Sequence, residues 1–183
     1  IILLKSFFLS VRVEIPMFAS YAQCTDNLIV VQTFSKSRSM AGMRIGYAMA
    51  SPELIKYLND VKYSFNSYTM DQTALDLGVA SIEDQAYFEE TLHKIIQTRE
   101  RVKLRLTELG FTFRDSRSNF IFASHKSCPA EELFEKLKEK DIYVRYFNKP
   151  RIHNYLRITI GTDAEMDEFL SEVENYLKKS GRL

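Results

Sequence analysis

The sequence has few of the residues on which disulfide frameworks and metal sites depend. Of its 183 residues, two are cysteines and three are histidines. Cys24 and Cys128 lie far apart and without metal-like spacing, which favours two reduced thiols in a cytosolic protein. His93, His125 and His153 are scattered, so that no two of them have the spacing of metal ligands. We therefore assign no metal site.

Net charge and long apolar runs are also scarce. The formal net charge is +1, which gives no support for nucleic-acid or membrane-surface binding. The apolar segment 1–13, IILLKSFFLSVRV, is too short to cross a bilayer, which needs about 20 apolar residues. It also lacks the basic start and cleavage site of a secretion signal. It predicts one or two buried strands, whose partners need not belong to this chain. The missing initial methionine leads us to expect a truncated chain.

What is present is the composition of a soluble globular protein, 45% hydrophobic and 27% charged. The first half predicts the end of an α/β domain. A β-branched run indicates a buried parallel-type strand, a serine- and glycine-rich loop leads to a second strand, and Ser51-Pro52 begins a helix. Apolar spacing predicts two more helices, the last ending at Gly110. The predicted ranges are strand 27–33, loop 33–47, strand 45–50 and helices 52–63, 71–82 and 84–109.

The second half predicts a compact α+β unit with the order strand, strand, helix, strand, strand, helix. The predicted strands are 111–114, 119–123, 143–147 and 155–160, and the helices are 129–140 and 163–179. We place a domain boundary in the long helix, which gives one domain over 1–97 and a C-terminal domain over 98–183.

The segment 33–47, TFSKSRSMAGMRIGY, has the composition of a phosphate-binding loop. Lys36 follows a predicted buried strand in a loop of hydroxyls, and Arg44 lies eight residues later between Gly42 and Gly46. Hydroxyls and a guanidinium suit phosphate, glycines allow close backbone approach, and a partly desolvated lysine can form a Schiff base. From composition alone, a solvated surface loop is the simpler interpretation.

The form TFSK…AGMRIGYA resembles the lysine motif of fold-type I aminotransferases that use pyridoxal 5′-phosphate (PLP), and it is similar to that of histidinol-phosphate aminotransferases. The resemblance implies that Lys36 holds PLP as a Schiff base and moves a substrate proton. It implies that Thr33, Ser35 and Arg44 bind the cofactor phosphate. It also implies a cytoplasmic homodimer with small-molecule substrates, namely amino acids, keto acids or phosphate esters, and a role in histidine biosynthesis.

Two arginines near the C-terminus lie among aromatic and β-branched residues, in IYVRYF and YLRITIGT. The simpler interpretation is that both side chains lie on the solvent face of an edge strand, where charged residues are common. By the family resemblance, Arg157 binds the anionic end of the substrate and Arg145 helps to bind a substrate phosphate. Asn119, in SNFIFA, matches a recurring stretch of the family's small domain, and by this resemblance it is a further candidate for substrate binding.

The resemblance also has gaps. Family members are about twice as long, and they hold the pyridine nitrogen with an aspartate that should precede Lys36. Residues 7–14 contain neither that aspartate nor a matching tyrosine. Two hypotheses follow. One is a PLP-dependent aminotransferase, acting on histidinol phosphate or on aromatic or other amino acids, whose remaining site residues lie outside this chain. The other is a non-catalytic fragment or pseudo-enzyme.

Overall fold

A computed structural model describes residues 2–5, 20–22 and 24–183 of the chain. Two compact units divide between Leu92 and His93. This division falls inside one long helix, the element in which the sequence placed the boundary at 97–98. The family resemblance implies that 1–97 is part of a large, PLP-binding domain and that 98–183 is a small domain, and this assignment stays a prediction.

The first unit contains a three-stranded sheet in the order β1 (Ile2–Lys5), β2 (Leu28–Thr33) and β3 (Gly46–Met49). Strand β2 runs parallel to β1 and antiparallel to β3. Its consecutive residues Leu28 to Val30 are buried, so both faces of the strand are covered. The predicted strand at 27–33 is confirmed. A strand predicted in the apolar N-terminal segment is present as β1, and its partner β2 belongs to this chain. The rest of that segment lies outside the described residues.

Helices follow this sheet closely along the chain. They are α1 (Phe34–Ser37), a 3₁₀ turn (Ala41–Met43), α2 (Pro52–Phe65), α3 (Gln72–Glu83) and α4 (Gln85–Glu108). The predicted loop at 33–47 therefore contains two short helical segments. Ser51 occupies the N-cap position before Pro52, as predicted, but its side chain makes no capping hydrogen bond.

The second unit contains the C-terminal part of α4, a four-stranded antiparallel sheet and two further helices. The sheet order is β4 (Phe111–Phe113), β5 (Phe120–His125), β7 (Leu156–Thr159) and β6 (Arg145–Tyr146). The helices are α5 (Ala130–Lys138) and α6 (Asp163–Lys179). The predicted order of elements is confirmed, although β6 is shorter than expected. Gly110 has a φ of +83°, as a residue that ends a helix often does.

Side chains of this sheet divide cleanly between its two faces because neighbours along a strand point in opposite directions. One face carries Ile121, Ala123, Leu156 and Ile158, which are buried against apolar residues of α4, α5 and α6. The alternate positions place aromatic and arginine side chains on the other face. None of the helices in the described residues is both long and apolar enough to cross a membrane.

Candidate active site

Lys36 lies in α1, directly after the C-terminal end of β2. Thr33 caps this turn, since its Oγ1 accepts a hydrogen bond of 2.8 Å from the backbone N–H of Ser35. The same hydroxyl donates to Ser35 Oγ at 2.7 Å. The capped turn fixes the backbone at Lys36, and the side chain of Lys36 is exposed. The expected partial desolvation of this lysine is therefore not present among the described residues.

Arg44 follows the 3₁₀ turn in the left-handed backbone region, with a φ of 58°. Its Nη1 donates to the carbonyl of Ala41 at 2.9 Å, and the side chain is exposed. Of the two glycines around it, Gly46 packs on a neighbouring strand, where an added Cβ would lie 3.2 Å from the Gln32 carbonyl oxygen. Gly42 has no described atom within 4 Å of such a Cβ. Only Gly42 thus leaves open space beside the backbone.

Arg38 was not singled out by the sequence, although it lies in the same motif. Its Nη1 donates to the Ser81 carbonyl at 2.7 Å, and its Nη2 to Gln85 Oε1 at 3.4 Å. The guanidinium also lies over the ring of Phe88. These contacts join the loop that carries Lys36 to the end of α3 and the start of α4. The sequence around Arg38 cannot indicate these contacts, because Ser81 and Gln85 lie more than 40 residues further along the chain.

A cavity of about 660 Å³ lies in the same unit, lined in part by Gln32, Phe34, Arg38 and Tyr47. The hydroxyl of Tyr47 bonds to Gln32 Oε1. Burial raises the pKa of Tyr47, while the charge of Arg38 acts in the opposite direction. The Gln32 Nε2 atom is buried without a hydrogen-bond partner among the described residues. This buried amide donor lies beside the cavity, where it is available to a polar ligand.

Arg145 and Arg157 form a directly opposed pair on β6 and β7. Both guanidiniums lie near the ring of Phe147, at 5.5 Å and 5.9 Å from its centroid. Arg157 also lies 5.5 Å from the ring of Phe120. Its Nε is buried and has no partner among the described residues. The structure thus brings together two of the predicted substrate-binding residues and places both of them beside the ring of Phe147.

Asn119 lies immediately before β5. Its backbone carbonyl accepts a hydrogen bond of 2.9 Å from the N–H of Ile160, just after β7. The preceding residue, Ser118, accepts at its carbonyl from Nη1 of the buried Arg99 at 3.1 Å. These bonds fix the backbone at the start of β5, while a substrate-binding role for the Asn119 side chain stays a prediction.

Comparison with known proteins identifies the family. The model of the aminotransferase class I and II family matches residues 12–173, and the chain belongs to that family. A histidinol-phosphate aminotransferase of Brachyspira hyodysenteriae is 54% identical over 153 residues, which are 84% of this chain and 43% of that protein. One of Lactococcus lactis is 51% identical over 166 residues, covering 91% of this chain and 45% of the relative. The chain thus spans less than half the length of these curated relatives.

Solved structures agree on the fold. The histidinol-phosphate aminotransferase of Clostridium acetobutylicum superposes with a TM-score of 0.84 at 19% identity, over 97% of this chain and 54% of that one. The histidinol-phosphate aminotransferase of Sinorhizobium meliloti, solved in complex with pyridoxal-5′-phosphate, superposes with a TM-score of 0.76 at 24% identity. The match covers 88% of this chain and 44% of that one. The chain therefore has part of the fold-type I architecture, as the sequence predicted. Residues 7–14, where the ring-binding aspartate was sought, lie outside the described residues.

Proposed function

We propose that this chain is part of a PLP-dependent aminotransferase that exchanges an amino group between glutamate and imidazole-acetol phosphate in histidine biosynthesis. The observation that carries the proposal is the placement of Lys36 in a capped turn at the end of β2, in one loop with two hydroxyls and Arg44. The names of the relatives at 51% and 54% identity support the substrate assignment.

The donor set in this loop fits the cofactor phosphate. A phosphate monoester near neutral pH carries up to two negative charges and is bound best by hydroxyl, backbone N–H and guanidinium donors. Ser35 and Arg44 supply such donors in one loop, and among the described residues Arg44 makes one hydrogen bond, from Nη1 to Ala41. The Thr33 hydroxyl donates to Ser35 Oγ and would exchange this bond for one to the phosphate. Gly42 leaves space for the ligand beside the backbone.

Each residue of this group has a distinct proposed role. Arg44, Ser35 and Thr33 hold the phosphate and so fix the position of the cofactor. Lys36 would hold PLP through its amino group and would carry a proton at the substrate α-carbon. PLP, when bound, supplies the electron sink that makes this proton removable. The exposure of Lys36 leaves its amino group accessible for both tasks.

The substrate side of the proposal rests on the second unit. Arg157 and Arg145 are cations without carboxylate partners among the described residues, and the Nε of Arg157 is buried. An anionic group of the substrate would satisfy them. We assign Arg157 to the anionic end common to the substrates and Arg145 to the phosphate, and Asn119 stays an auxiliary candidate.

A homodimer and a cytoplasmic location belong to the same proposal. Several aromatic side chains of the first unit are strongly exposed, with Phe65 at 92% and Tyr68 at 93%. Such apolar surface supports contact with further protein. Cys24 and Cys128 are both free, as expected in a reducing compartment.

The test of the cofactor site uses the full-length natural protein with added PLP. Borohydride reduction should attach the cofactor to the peptide that contains Lys36, and Lys36→Ala should abolish both labelling and visible absorbance. Lys62→Ala is the matched control, because Lys62 is an exposed lysine of α2 and should keep both signals. Labelling at any other lysine would refute the assignment.

The competing hypothesis is a non-catalytic chain, and a transamination assay separates the two. With glutamate, imidazole-acetol phosphate and PLP, the full-length protein should turn over at a typical enzyme rate of about 10 s⁻¹. We expect the 183-residue chain alone to turn over at least about a hundredfold more slowly, because losses within one site act together. A full-length protein without turnover would favour the non-catalytic hypothesis.

A further inference from the structure

Two like charges face each other on the sheet of the second unit. Arg145 and Arg157 are Cα partners across β6 and β7. Like charges directly opposite in an antiparallel pair destabilise it. Within the described residues neither guanidinium forms an ion pair, and the Nε of Arg157 is buried without a partner. Arg145 is exposed, so water and counterions screen part of this repulsion, and a bound anion would offset the rest.

One aromatic ring is shared by both guanidiniums. The centroid of the Phe147 ring lies 5.5 Å from the Cζ atom of Arg145 and 5.9 Å from that of Arg157. A cation over an aromatic face is attracted by the ring quadrupole. Arg157 has a second ring in Phe120, at 5.5 Å. For Arg145, Phe147 is the only such contact in the part of the chain that the structure describes. Loss of the Phe147 ring would thus release Arg145 more than Arg157.

The ring of Phe147 is itself held in place by the sheet. It meets the ring of Phe122 edge-on, with the centroids 6.3 Å apart, and Phe122 stacks on Tyr155 at 4.7 Å. Phe122 is also the Cα partner of Arg157 across β5 and β7. The ring therefore has a fixed position relative to both arginines.

We infer that Phe147 is a positioning residue for specificity, which holds Arg145 beside Arg157 so that both bind one dianionic group, a phosphate monoester. The inference rests on the proposed function and assigns a new role within its substrate site. A carboxylate carries one charge and is satisfied by Arg157 alone through a bidentate pair. A phosphate has three oxygens and a second charge, and it gains from both guanidiniums.

The experiment uses the full-length holoenzyme. Phe147→Leu and Phe147→Met both remove the ring but keep an apolar side chain. Each variant should raise the KM for imidazole-acetol phosphate by about fivefold. The dissociation constant for inorganic phosphate, measured by calorimetry, should rise by about the same factor. The KM for glutamate should change by less than about twofold. Phe147→Tyr, which keeps an aromatic ring, should bind phosphate as the wild type does. Tyr143→Leu is the matched control, since it removes an exposed ring of the same segment that contacts neither arginine.

A double-mutant comparison tests the coupling directly. Arg145→Met should weaken phosphate binding, and adding Phe147→Leu should then have no further effect, since the ring acts through that arginine. Additive losses, or equal losses for glutamate and phosphate, would overturn the inference. A wild-type protein without PLP absorbance would instead refute the proposed function. Normal turnover with unchanged phosphate binding in both ring variants would refute this inference alone.

Discussion

The guanidinium carbon of Arg38 lies 4.0 Å from the centroid of the Phe88 ring. With its 2.7 Å hydrogen bond to the Ser81 carbonyl, this contact ties the loop of Lys36 to the junction of α3 and α4. The carbonyls in the last turn of a helix have no partner within that helix. Arg38 therefore supplies a donor to the end of α3 and fixes the loop with the same group.

We expect Arg38→Met to lower the free energy of unfolding by about 1–3 kcal/mol, because a charged hydrogen bond and a cation–π contact are both lost. Urea denaturation of the full-length protein measures this. Arg114→Met is the control, since Arg114 is an exposed arginine whose loss should have little effect. Equal midpoints for the two variants would contradict the anchoring role.

The role of Arg44 can be separated from its backbone conformation. Arg44→Ala should raise the dissociation constant for PLP at least about tenfold, since loss of a hydrogen bond to a charged group costs about 1.5–3 kcal/mol. Arg44 has a φ of 58°, so Arg44→Gly removes the guanidinium and relieves the backbone at the same time. Both variants should lose affinity in a spectroscopic titration with PLP. Because arginine and alanine share the same Cβ at this φ, Arg44→Ala adds no backbone strain, and normal PLP affinity in either variant would refute the phosphate-binding role.

Arg157→Lys keeps the charge but loses the planar fork of the guanidinium. We expect the KM for glutamate to rise about tenfold, with the PLP absorbance unchanged. Arg114→Lys is the matched control in the same unit. If the variant instead loses its visible absorbance while glutamate binds normally, Arg157 belongs to the cofactor site.

The turn after α4 depends on a glycine. Gly110 has a φ of +83°, and an added Cβ would lie 3.0 Å from Nε2 of His125. Gly110→Ala should therefore lower the free energy of unfolding by about 2 kcal/mol, from backbone strain and crowding of the ring. Gly181 shares the positive φ but has no neighbour within 4 Å among the described atoms. Gly181→Ala should show the smaller, backbone part alone.

His125 makes the stability of the second unit depend on pH. Nε2 bonds to the Leu109 carbonyl at 3.1 Å, and the Ser127 N–H donates to Nδ1 at 3.3 Å. These bonds fit the neutral ring. Burial lowers the pKa of His125, and the charges of Arg182 and Lys126 also lower it, against the bond to Leu109.

Below a pH of about 6.5 the unfolded chain binds more protons at this histidine than the folded one, and stability must then fall as pH falls. Denaturation of the wild type between about pH 5 and 8 should show this slope of the free energy of unfolding against pH. The slope should be flatter in His125→Gln. In His153→Gln it should equal that of the wild type, since His153 is exposed. A slope that is the same in all three proteins would exclude His125 as the cause.

Local signals in the sequence determined most of the secondary structure and the first group of candidate residues. Apolar runs and alternation marked β2 and β5, and the predicted helix at 163–179 matches α6 (Asp163–Lys179). The Lys36 motif was readable because its residues are close along the chain. The one-turn helix at Lys36 was missed, because the cap from Thr33 to Ser35 resembles an ordinary hydroxyl-rich loop.

Tertiary structure alone decided which distant residues meet. The register of β6 and β7 places Arg145 opposite Arg157, and the shift of a single residue would send one of them to the core face. The same register brings Phe147 under both guanidiniums, and chain folding brings Arg38 to Ser81. Spacing within one strand or loop cannot specify these contacts, since they depend on how separate segments pair. The sequence alone thus identified the two arginines as candidates, and only the pairing of β6 with β7 places them opposite each other.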